Sequence, residues 1–276
     1  MEKISPKFNA AWKAASVLSF LLYYSGAVFF YGFMRKVLLK KYHRIILTYH
    51  RVHNGPDDPE MTVTSAHFRE QIAFLYSHFR IVPLKEILFM KHNSTSQDLV
   101  SITFDDGYED NFIYAFPILK DKSAPATIFL VANKVGQAEK MLTAEQIRVM
   151  QQSGISFGSH TCTHPVLAEI PLKEAEREIA LSKEILESFL QQKVDFFAYP
   201  KGKAHQYGPA VKKLVQEYGY KAALTMENGV LTEEMDLFEV KRLGVRDIPL
   251  FFFKTRISGL FESFPFVILR KALGAR

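Results

Sequence analysis

The feature that most constrains the fold is an alternation of apolar, strand-forming runs with helical segments. The apolar runs are Ile45–Tyr49, Leu99–Phe104, Ala126–Val131, Ile155–Gly158, Val194–Tyr199, Lys221–Leu224 and Phe238–Leu243. Helical patterns lie between several of them, at His67–Phe79, Asn111–Lys122, Thr143–Ser153, Leu172–Gln191 and Gly208–Gly219. This alternation predicts an α/β fold with a parallel sheet, either open or closed into a barrel. In a barrel, functional side chains are expected at the carboxyl ends of the strands.

The positive charge of the chain is concentrated near its amino terminus. Residues 1–44 hold eight Lys or Arg and one Glu of the chain's 35 basic and 29 acidic residues, which leaves 27 and 28 for residues 45–276. A nucleic-acid-binding domain normally carries a basic surface. The nearly neutral main part of the chain therefore argues against a nucleic-acid partner.

The basic residues flank an uncharged apolar stretch from Ala14 to Met34. Its 21 residues would match, as one helix, the hydrocarbon core of a bilayer. Four interpretations stay open: a membrane anchor, a helix lying in the membrane interface, a cleaved signal peptide and a buried core helix. The small residues Ser25, Gly26 and Ala27 are followed by further apolar residues, which disfavours cleavage there.

We therefore divide the chain into a membrane-associated segment (1–44), a main domain (45–248) and an amphipathic segment (249–276). The last segment mixes bulky aromatic residues, as in Phe261–Lys271, with Lys254, Arg256 and Arg270. It suits either contact with a membrane interface or a final helix packed on the domain. Basic residues just after the apolar stretch favour the cytoplasmic face of the membrane for the main domain, with the opposite face left open.

Two adjacent carboxylates, Asp105 and Asp106, follow the apolar run that ends at Phe104, and Gly107 comes next. Buried carboxylates are costly unless a cation or hydrogen-bond donors meet them. Neighbouring side chains on an extended chain point to opposite sides, so one carboxylate could bind a metal while the other faces a substrate. An ordinary Asp-Asp-Gly turn is the alternative.

A pair of imidazoles, His160 and His164, follows the run that ends at Ser159. Imidazoles four residues apart can converge on one ion, and with one carboxylate they form a ligand set suited to zinc and other divalent transition metals. A His-x-x-x-His pair alone would be weak support for a metal site. The Asp-Asp pair at a second strand end makes the metal site the favoured interpretation.

A third strand end reads Tyr199-Pro200-Lys201-Gly202. Pro200 and Gly202 predict a sharp loop, and its backbone amides and the Tyr199 ring could line a pocket. On its own this segment would indicate only a turn.

The order and spacing of these segments resembles the polysaccharide deacetylase family of metal-dependent carbohydrate esterases. Thr103 to Gly107 matches the family's Thr-Phe-Asp-Asp-Gly motif, and His160 to His164 matches its His-(Ser/Thr)-x-x-His motif. The similarity covers about Ile45 to Val245. It implies an irregular (β/α)7 barrel.

The resemblance also implies the roles of the motif residues. Asp106, His160 and His164 would bind a divalent metal, with Zn²⁺ favoured and Co²⁺, Ni²⁺ or Fe²⁺ as alternatives. Asp105 would be the general base that takes a proton from the attacking water. The backbone N–H of Tyr108 is a candidate to stabilise the oxyanion, together with the ion. Tyr199 is a candidate to stack on a sugar face.

Two departures from the family pattern leave roles to be filled. The position of the Arg that orients the base in many members is Ala198 here, and the only His after 164 is His205. Both departures, and a Tyr-His-x-Val segment at His50, are similar to the poly-N-acetylglucosamine deacetylase branch. We therefore expect His50 to be the general acid, with His205 as its rival, and Arg242 to replace the missing Arg beside Asp105.

The function predicted from the sequence is removal of N-acetyl groups from an amino-sugar glycan, with release of acetate. The flanking membrane-associated segments suggest a polysaccharide or a lipid-linked saccharide as substrate. Two alternatives are a catalytically impaired glycan-binding barrel and a membrane scaffold with a structural metal site. The spare carboxylate of the Asp105–Asp106 pair argues against both, because neither needs it.

Overall fold

The computed structural model describes residues 6–55, 61–90, 95–137 and 140–260. The chain divides into two compact units, which we call the barrel unit (Arg44–Asp247) and the terminal unit (Met1–His43 with Ile248–Arg276). The barrel unit differs by one residue at each end from the 45–248 boundaries drawn on the sequence. The segments at the two ends of the chain, which the sequence predicts as separate, belong to one unit.

A parallel sheet forms the centre of the barrel unit. Its strands are β1 (Arg44–Tyr49), β4 (Arg80–Ile81), β5 (Leu99–Phe104), β6 (Ala126–Leu130), β7 (Ser156–Ser159), β8 (Phe196–Ala198), β9 (Ala222–Leu224) and β10 (Leu243–Gly244). Seven of them follow the order β10-β1-β5-β6-β7-β8-β9, and β4 pairs with β5 outside this path. The short strands β2 (Arg51–Val52) and β3 (Thr62–Val63) form a separate parallel pair.

The sheet curves into an incompletely closed barrel. An isolated bridge between Leu224 and Val240 links β9 to the segment that leads into β10, and β10 pairs with β1 through Leu47 and Leu243. The α/β fold with an irregular parallel barrel sheet is therefore confirmed, with seven strands along its main path and β4 as an eighth strand beside it. Its strands read as nearly continuous apolar runs because β1, β5 and β6 are buried at every position, as is usual for parallel strands covered by helices.

The helices of the barrel unit lie between the strands along the chain. They are α3 (Ser65–His78), α4 (Leu84–Phe89), α5 (Phe116–Asp121), α6 (Ala144–Gln152), α7 (Leu172–Leu190) and α8 (Gly208–Glu217). A π-helical turn, Asn111–Ala115, precedes α5. Capping follows the expected chemistry in α6, where Thr143 and Gln146 form a capping box, and in α3, where the Thr64 hydroxyl accepts a hydrogen bond from the His67 amide.

The described part of the terminal unit consists of α1 (Pro6–Tyr24), α2 (Ala27–Phe33), a π-helical turn (Met34–Leu38) and α9 (Leu250–Ile257). The uncharged stretch expected as one helix is thus two, because Gly26 adopts a left-handed backbone (φ 80°) before α2. No single described helix is long and apolar enough to cross a membrane. Lys13–Tyr24 and Ala27–Leu38 reach that length and composition together, but they are bent by 65°. The aromatic residues predicted at Phe261–Lys271 lie outside the described residues.

Candidate active site

The carboxyl ends of β5 and β7 bring the two sequence motifs together. His164 Nε2 lies 3.4 Å and His160 Nε2 lies 3.7 Å from Asp106 Oδ1. One ligand atom from each of the three residues lies within 4.8 Å of the others. Backbone pairing continues past the strand ends, because the Asp105 amide donates to Tyr49 and the His160 amide donates to Leu130. The motif residues are therefore held by the same ladder that builds the sheet.

The imidazole of His160 is oriented by a backbone carbonyl. Its Nδ1 lies 2.7 Å from the carbonyl oxygen of Ala198 at the end of β8, and the residue is buried. Since a carbonyl can only accept, Nδ1 carries the proton and the lone pair of Nε2 is directed at Asp106. Metal-binding histidines are typically held in this way.

The loop from His160 to His164 is anchored on helix α7. Glu178 accepts hydrogen bonds from the amides of Cys162 and Thr163 and from the Thr163 hydroxyl. The Thr161 hydroxyl accepts from the His164 amide, 2.9 Å away. Glu178 was not identified from the sequence, because nothing in its helical surroundings marks it as a loop anchor.

Two of the three clustered residues have strained backbones. Asp106 and His164 have φ values of 73° and 68°, in the left-handed region that L-residues seldom adopt. Gly107 follows with φ +78°, and a Cβ placed there would lie 2.7 Å from Leu130 Cδ2. Strain of this kind persists where the surrounding structure imposes it, as it often does at functional sites.

The Asp106, His160 and His164 side chains fit a divalent transition metal. One carboxylate oxygen and two imidazole nitrogens are the ligand types that Zn²⁺ takes in catalytic sites, which keep further positions open. Burial and the neighbouring His160 lower the pKa of His164, although Asp106 opposes this. The imidazole is thereby kept neutral, which is the form that binds metals.

Asp105 forms a buried ion pair with Arg242. Arg242 Nη1 lies 2.8 Å from Asp105 Oδ1 and Nη2 lies 2.7 Å from Oδ2, a bidentate geometry. Burial favours the neutral carboxyl, but Arg242, His160 and His50 outweigh it, so the pKa of Asp105 is lowered far below its ordinary value. The carboxylate is therefore ionised in neutral solution.

Arg242 is fully buried and has hydrogen-bond partners on every side. Its Nη1 also donates to the hydroxyls of Thr48 and Thr103, and its Nε donates to the carbonyl of Thr225. The structure thus places Arg242 beside Asp105, where the sequence predicts it, just before β10. The family's usual Arg position, Ala198, contributes its carbonyl to His160 instead.

His50 follows β1 and lies close to the Asp105 carboxylate. Its Nε2 is 4.0 Å from Asp105 Oδ2. Burial lowers the pKa of His50, and the carboxylates of Asp105 and Asp106 oppose that shift. His205 is exposed in the short turn Ala204–Gln206. Of the two histidines, His50 is therefore the one that lies close to Asp105.

A side-chain network that the sequence did not reveal holds the backbone around His50. The Asn111 amide nitrogen donates to the carbonyl of His50 at 2.9 Å, at the start of the π-helical turn. Asp110 accepts from the Arg51 guanidinium at 2.7 Å and from the Val52 amide. The Arg51 guanidinium also lies over the Tyr108 ring, 4.8 Å from its centroid. The signal available was the Asp-Asn pair shortly after the Asp-Asp-Gly motif.

The third predicted segment does not contribute the contacts expected of it. Tyr199 is fully buried, stacks on Tyr207 with a centroid separation of 4.0 Å, and donates its hydroxyl proton to the Phe238 carbonyl. The prediction that it stacks on a sugar is wrong, because no face of the ring is accessible. Pro200 is buried and accepts the Gly202 amide at 2.7 Å, so that amide is already engaged in the turn. Tyr108 is half-buried and pairs with Met141 in an isolated bridge.

Comparison with known proteins agrees with this architecture. Residues 92–223 match the family model for polysaccharide deacetylase. YxkH of Bacillus subtilis, a protein named for the same family, is 30% identical over 203 residues, which cover 72% of this chain and 70% of YxkH. The poly-β-1,6-N-acetyl-D-glucosamine N-deacetylase of Staphylococcus epidermidis is 26% identical over 240 residues, with 76% and 82% covered.

Solved structures show the same fold. The Streptococcus pyogenes deacetylase PplD, in complex with acetate, superposes with a TM-score of 0.68 at 25% identity, over 74% of this chain and 92% of PplD. IcaB from Ammonifex degensii superposes with a TM-score of 0.70 at 24% identity, over 81% and 98%. The chain therefore belongs to the polysaccharide deacetylase family. Its enzyme class is that of the hydrolases that cleave N-acetyl amide bonds of polysaccharides.

Proposed function

We propose that this protein removes acetyl groups from a polymer of N-acetylglucosamine, with the β-1,6-linked polymer as the favoured substrate and a divalent metal, Zn²⁺ in preference, as cofactor. The observation that carries the proposal is the pairing of an ionised, Arg-bound carboxylate, Asp105, with the adjacent Asp106, His160 and His164 cluster. The similarity to the staphylococcal poly-β-1,6-N-acetyl-D-glucosamine N-deacetylases supports the choice of linkage.

Asp106, His160 and His164 would hold the metal. When bound, a divalent cation supplies Lewis acidity to the acetamide carbonyl and to the attacking water. The Ala198 carbonyl and Glu178 keep the two imidazoles in place, so the ligands need little reorganisation.

Asp105 acts as the general base in this scheme. It takes a proton from water as the water oxygen bonds to the acetamide carbon, and Arg242 fixes the carboxylate in one orientation. The negative charge that develops on the carbonyl oxygen is stabilised by a backbone N–H, for which Tyr108 is our candidate.

His50 returns the proton to the leaving group. Because Arg242 keeps the pKa of Asp105 low, the carboxyl does not retain the proton, and the imidazole 4.0 Å away is the neighbouring base. His50 then protonates the amine nitrogen as the C–N bond breaks. The products are acetate and a free amine on the sugar.

The direct test is acetate release from defined oligosaccharides. Purified protein loaded with Zn²⁺ is offered β-1,6-linked and β-1,4-linked oligomers of N-acetylglucosamine, and released acetate is measured. We expect turnover of the β-1,6-linked oligomer, and Asp105→Asn should abolish turnover while leaving glycan binding intact. Turnover of neither oligomer by wild-type protein would contradict the proposal.

The membrane-associated segments expected from the sequence suggest a second form of the substrate. A polyprenyl-linked N-acetyl amino sugar, offered to detergent-solubilised protein, should then be turned over faster than a short free oligosaccharide. Equal rates would count against a lipid-linked substrate and leave the polymer as the substrate.

A further inference from the structure

In the part of helix α1 whose side chains are described, from Lys13 to Tyr24, four large apolar side chains are exposed. Val17, Phe20, Leu21 and Tyr24 follow helical spacing along one face, and each is between 49% and 64% exposed. Residues that share a face at this spacing normally turn toward the core of a soluble protein. Here they form the outer surface of the terminal unit.

The outward apolar surface continues into the second helix and the turn after it. Phe29, Phe30, Phe33, Val37 and Leu38 are each between 53% and 66% exposed. Single exposed apolar residues are ordinary on protein surfaces, but many contiguous along one segment mark an interaction site. We call this set of nine residues, from Val17 to Leu38, the apolar face.

The buried side of the same unit contains small hydroxyl residues as well as apolar ones such as Phe252 and Phe253. Ser19 of α1 and Thr255 of α9 are both fully buried, and the Thr255 hydroxyl contacts the Ser19 carbonyl and the Phe251 carbonyl. Small hydroxyl residues between helices, with large apolar residues outside, are typical of helices that pack in lipid.

The charge of the terminal unit is complementary to an anionic surface. Residues 13–43 and 248–260 contain seven Lys or Arg and no Asp or Glu. Among them, Lys13, Lys40 and Lys41 are exposed, and they lie at the two ends of the apolar face. Basic side chains beside a bilayer are attracted to anionic headgroups, and each contributes about 1 kcal/mol to the free energy of binding.

The positions of the cations limit the length of the apolar segment between them. Lys254 donates to the Tyr23 hydroxyl at 3.2 Å, so a cation lies at the carboxyl end of α1 as well as at Lys13. The twelve residues between Lys13 and Tyr24 span about 18 Å, well short of a hydrocarbon core of about 30 Å. The 65° bend between Lys13–Tyr24 and Ala27–Leu38 also shortens the distance that the two helical segments span together.

We propose that the terminal unit is a membrane-binding module that inserts the apolar face into one leaflet of an anionic bilayer without crossing it. The lysines that flank the face remain at the level of the headgroups. This assignment is independent of the reaction catalysed by the barrel unit.

The test is co-sedimentation of the full chain with vesicles of phosphatidylcholine, with or without phosphatidylglycerol. We expect binding to the anionic vesicles that weakens with salt.

The triple variant Phe29→Ser, Phe30→Ser, Phe33→Ser should bind at least about tenfold more weakly, because each lost ring removes inserted apolar area. The matched control, Tyr76→Ser with Leu172→Ser, alters exposed apolar residues of the barrel unit and should bind like wild type. Unchanged thermal unfolding of each variant shows that it is folded.

A second pair of variants tests the charge. Lys40→Gln with Lys41→Gln should weaken binding to anionic vesicles by about fivefold per lysine and leave binding to neutral vesicles unchanged. No binding by the full chain, or equal binding by wild type and the triple serine variant, would overturn the proposal. The proposal would also be overturned if the wild-type chain were a dimer in vesicle-free buffer, the triple serine variant were a monomer, and neither bound vesicles.

Insertion depth is measured with a fluorophore on Val17→Cys, Phe30→Cys or Leu38→Cys, in a Cys162→Ser background that removes the chain's one natural cysteine. Lipids brominated near the headgroup should quench all three positions more than lipids brominated at the chain end. Deep quenching at position 30 with shallow quenching at 17 and 38 would indicate a spanning segment and contradict insertion into one leaflet.

Discussion

At the scale of single residues, the bond between Arg242 and Asp105 determines the chemistry of the site. A buried carboxylate without a partner would become neutral, and a neutral Asp105 could not accept a proton from water. The guanidinium prevents this with two parallel hydrogen bonds and is itself satisfied by Thr48, Thr103 and Thr225. The carboxylate that we propose as the base is therefore kept charged and fixed in orientation by Arg242, a residue near the end of the barrel unit.

Replacing Arg242 with Lys should lower kcat/KM by about 100-fold, because a single ammonium cannot reproduce the bidentate contact. Arg242→Met should also lower the free energy of unfolding by about 3–5 kcal/mol, since it leaves a buried charge unpaired. Acetate-release kinetics and urea denaturation measure the two effects. Lys241→Met, at the exposed neighbouring position, is the control. If this variant lost as much activity and stability as the Arg242 variants, the contact with Asp105 would not be the cause of those losses.

Asn111 is a positioning residue for His50, because its amide holds the His50 carbonyl. Asn111→Ala should lower kcat by about tenfold with KM nearly unchanged, since the change displaces the acid and not the substrate. Steady-state kinetics on a soluble oligosaccharide separates the two constants. Asn133→Ala, an exposed asparagine, is the matched control. An increase in KM alone would contradict the assignment.

Most of the site residues that could be predicted from the sequence belong to recognisable motifs. Asp105, Asp106, His160 and His164 stand at strand ends in recognisable motifs, and Arg242 was expected because the family's Arg is missing. Glu178 and Asn111 act through contacts with backbone groups distant in sequence, and no local pattern encodes such a contact. An aromatic residue at a strand end, such as Tyr199, predicts a surface for ligand stacking, but in the structure Tyr207 stacks on its ring.

At the scale of elements, the site depends on how strands β5 and β7 end. Continuation of the backbone ladder through Asp105 and His160 places both motifs at one edge of the sheet. The turn after β5 is possible because Gly107 has no side chain and passes close to Leu130. The strands were predictable from their apolar runs, but the left-handed conformations of Asp106 and His164 were not, because tertiary contacts impose them.

Gly107→Ala should destabilise the protein by about 2 kcal/mol and weaken metal binding, since the new methyl group meets Leu130 at a left-handed backbone position. Chemical denaturation and metal titration follow both properties. Gly154→Ala is the matched control, because Gly154 has a similar φ of +89° and a Cβ added there would have no atom within 4 Å. Equal destabilisation of the two variants would show that the contact with Leu130 is unimportant.

At the scale of the whole molecule, the barrel unit carries the deacetylase site and the terminal unit carries the outward apolar face. The α/β class and the barrel unit were predictable because apolar, strand-forming runs alternate clearly with helical patterns along residues 44–247. The break in the terminal unit at Gly26 was not, because apolar composition alone does not distinguish one long helix from two bent ones.

Metal-free protein should lose stability as the pH falls from 7.5 to 5. Burial lowers the pKa values of both His50 and His164 in the folded state, whereas unfolded histidines take up protons near pH 6.5. The unfolded state therefore binds more protons in this window, and each histidine contributes a loss of up to about 1.4 kcal/mol per pH unit. Urea denaturation at several pH values measures the slope. His50→Gln and His164→Gln should each flatten it, and an unchanged slope in both would contradict the assignment.

The most direct test of the metal-dependent site is titration of chelator-treated protein with Zn²⁺ while acetate release and bound metal are followed together. We predict that activity is absent without metal and rises to a plateau at about one ion per chain. His164→Ala should lose both the tightly bound ion and the activity, whereas Asp105→Asn should bind the ion and remain inactive. Acetate release that persists without metal, or in Asp105→Asn, would contradict the account.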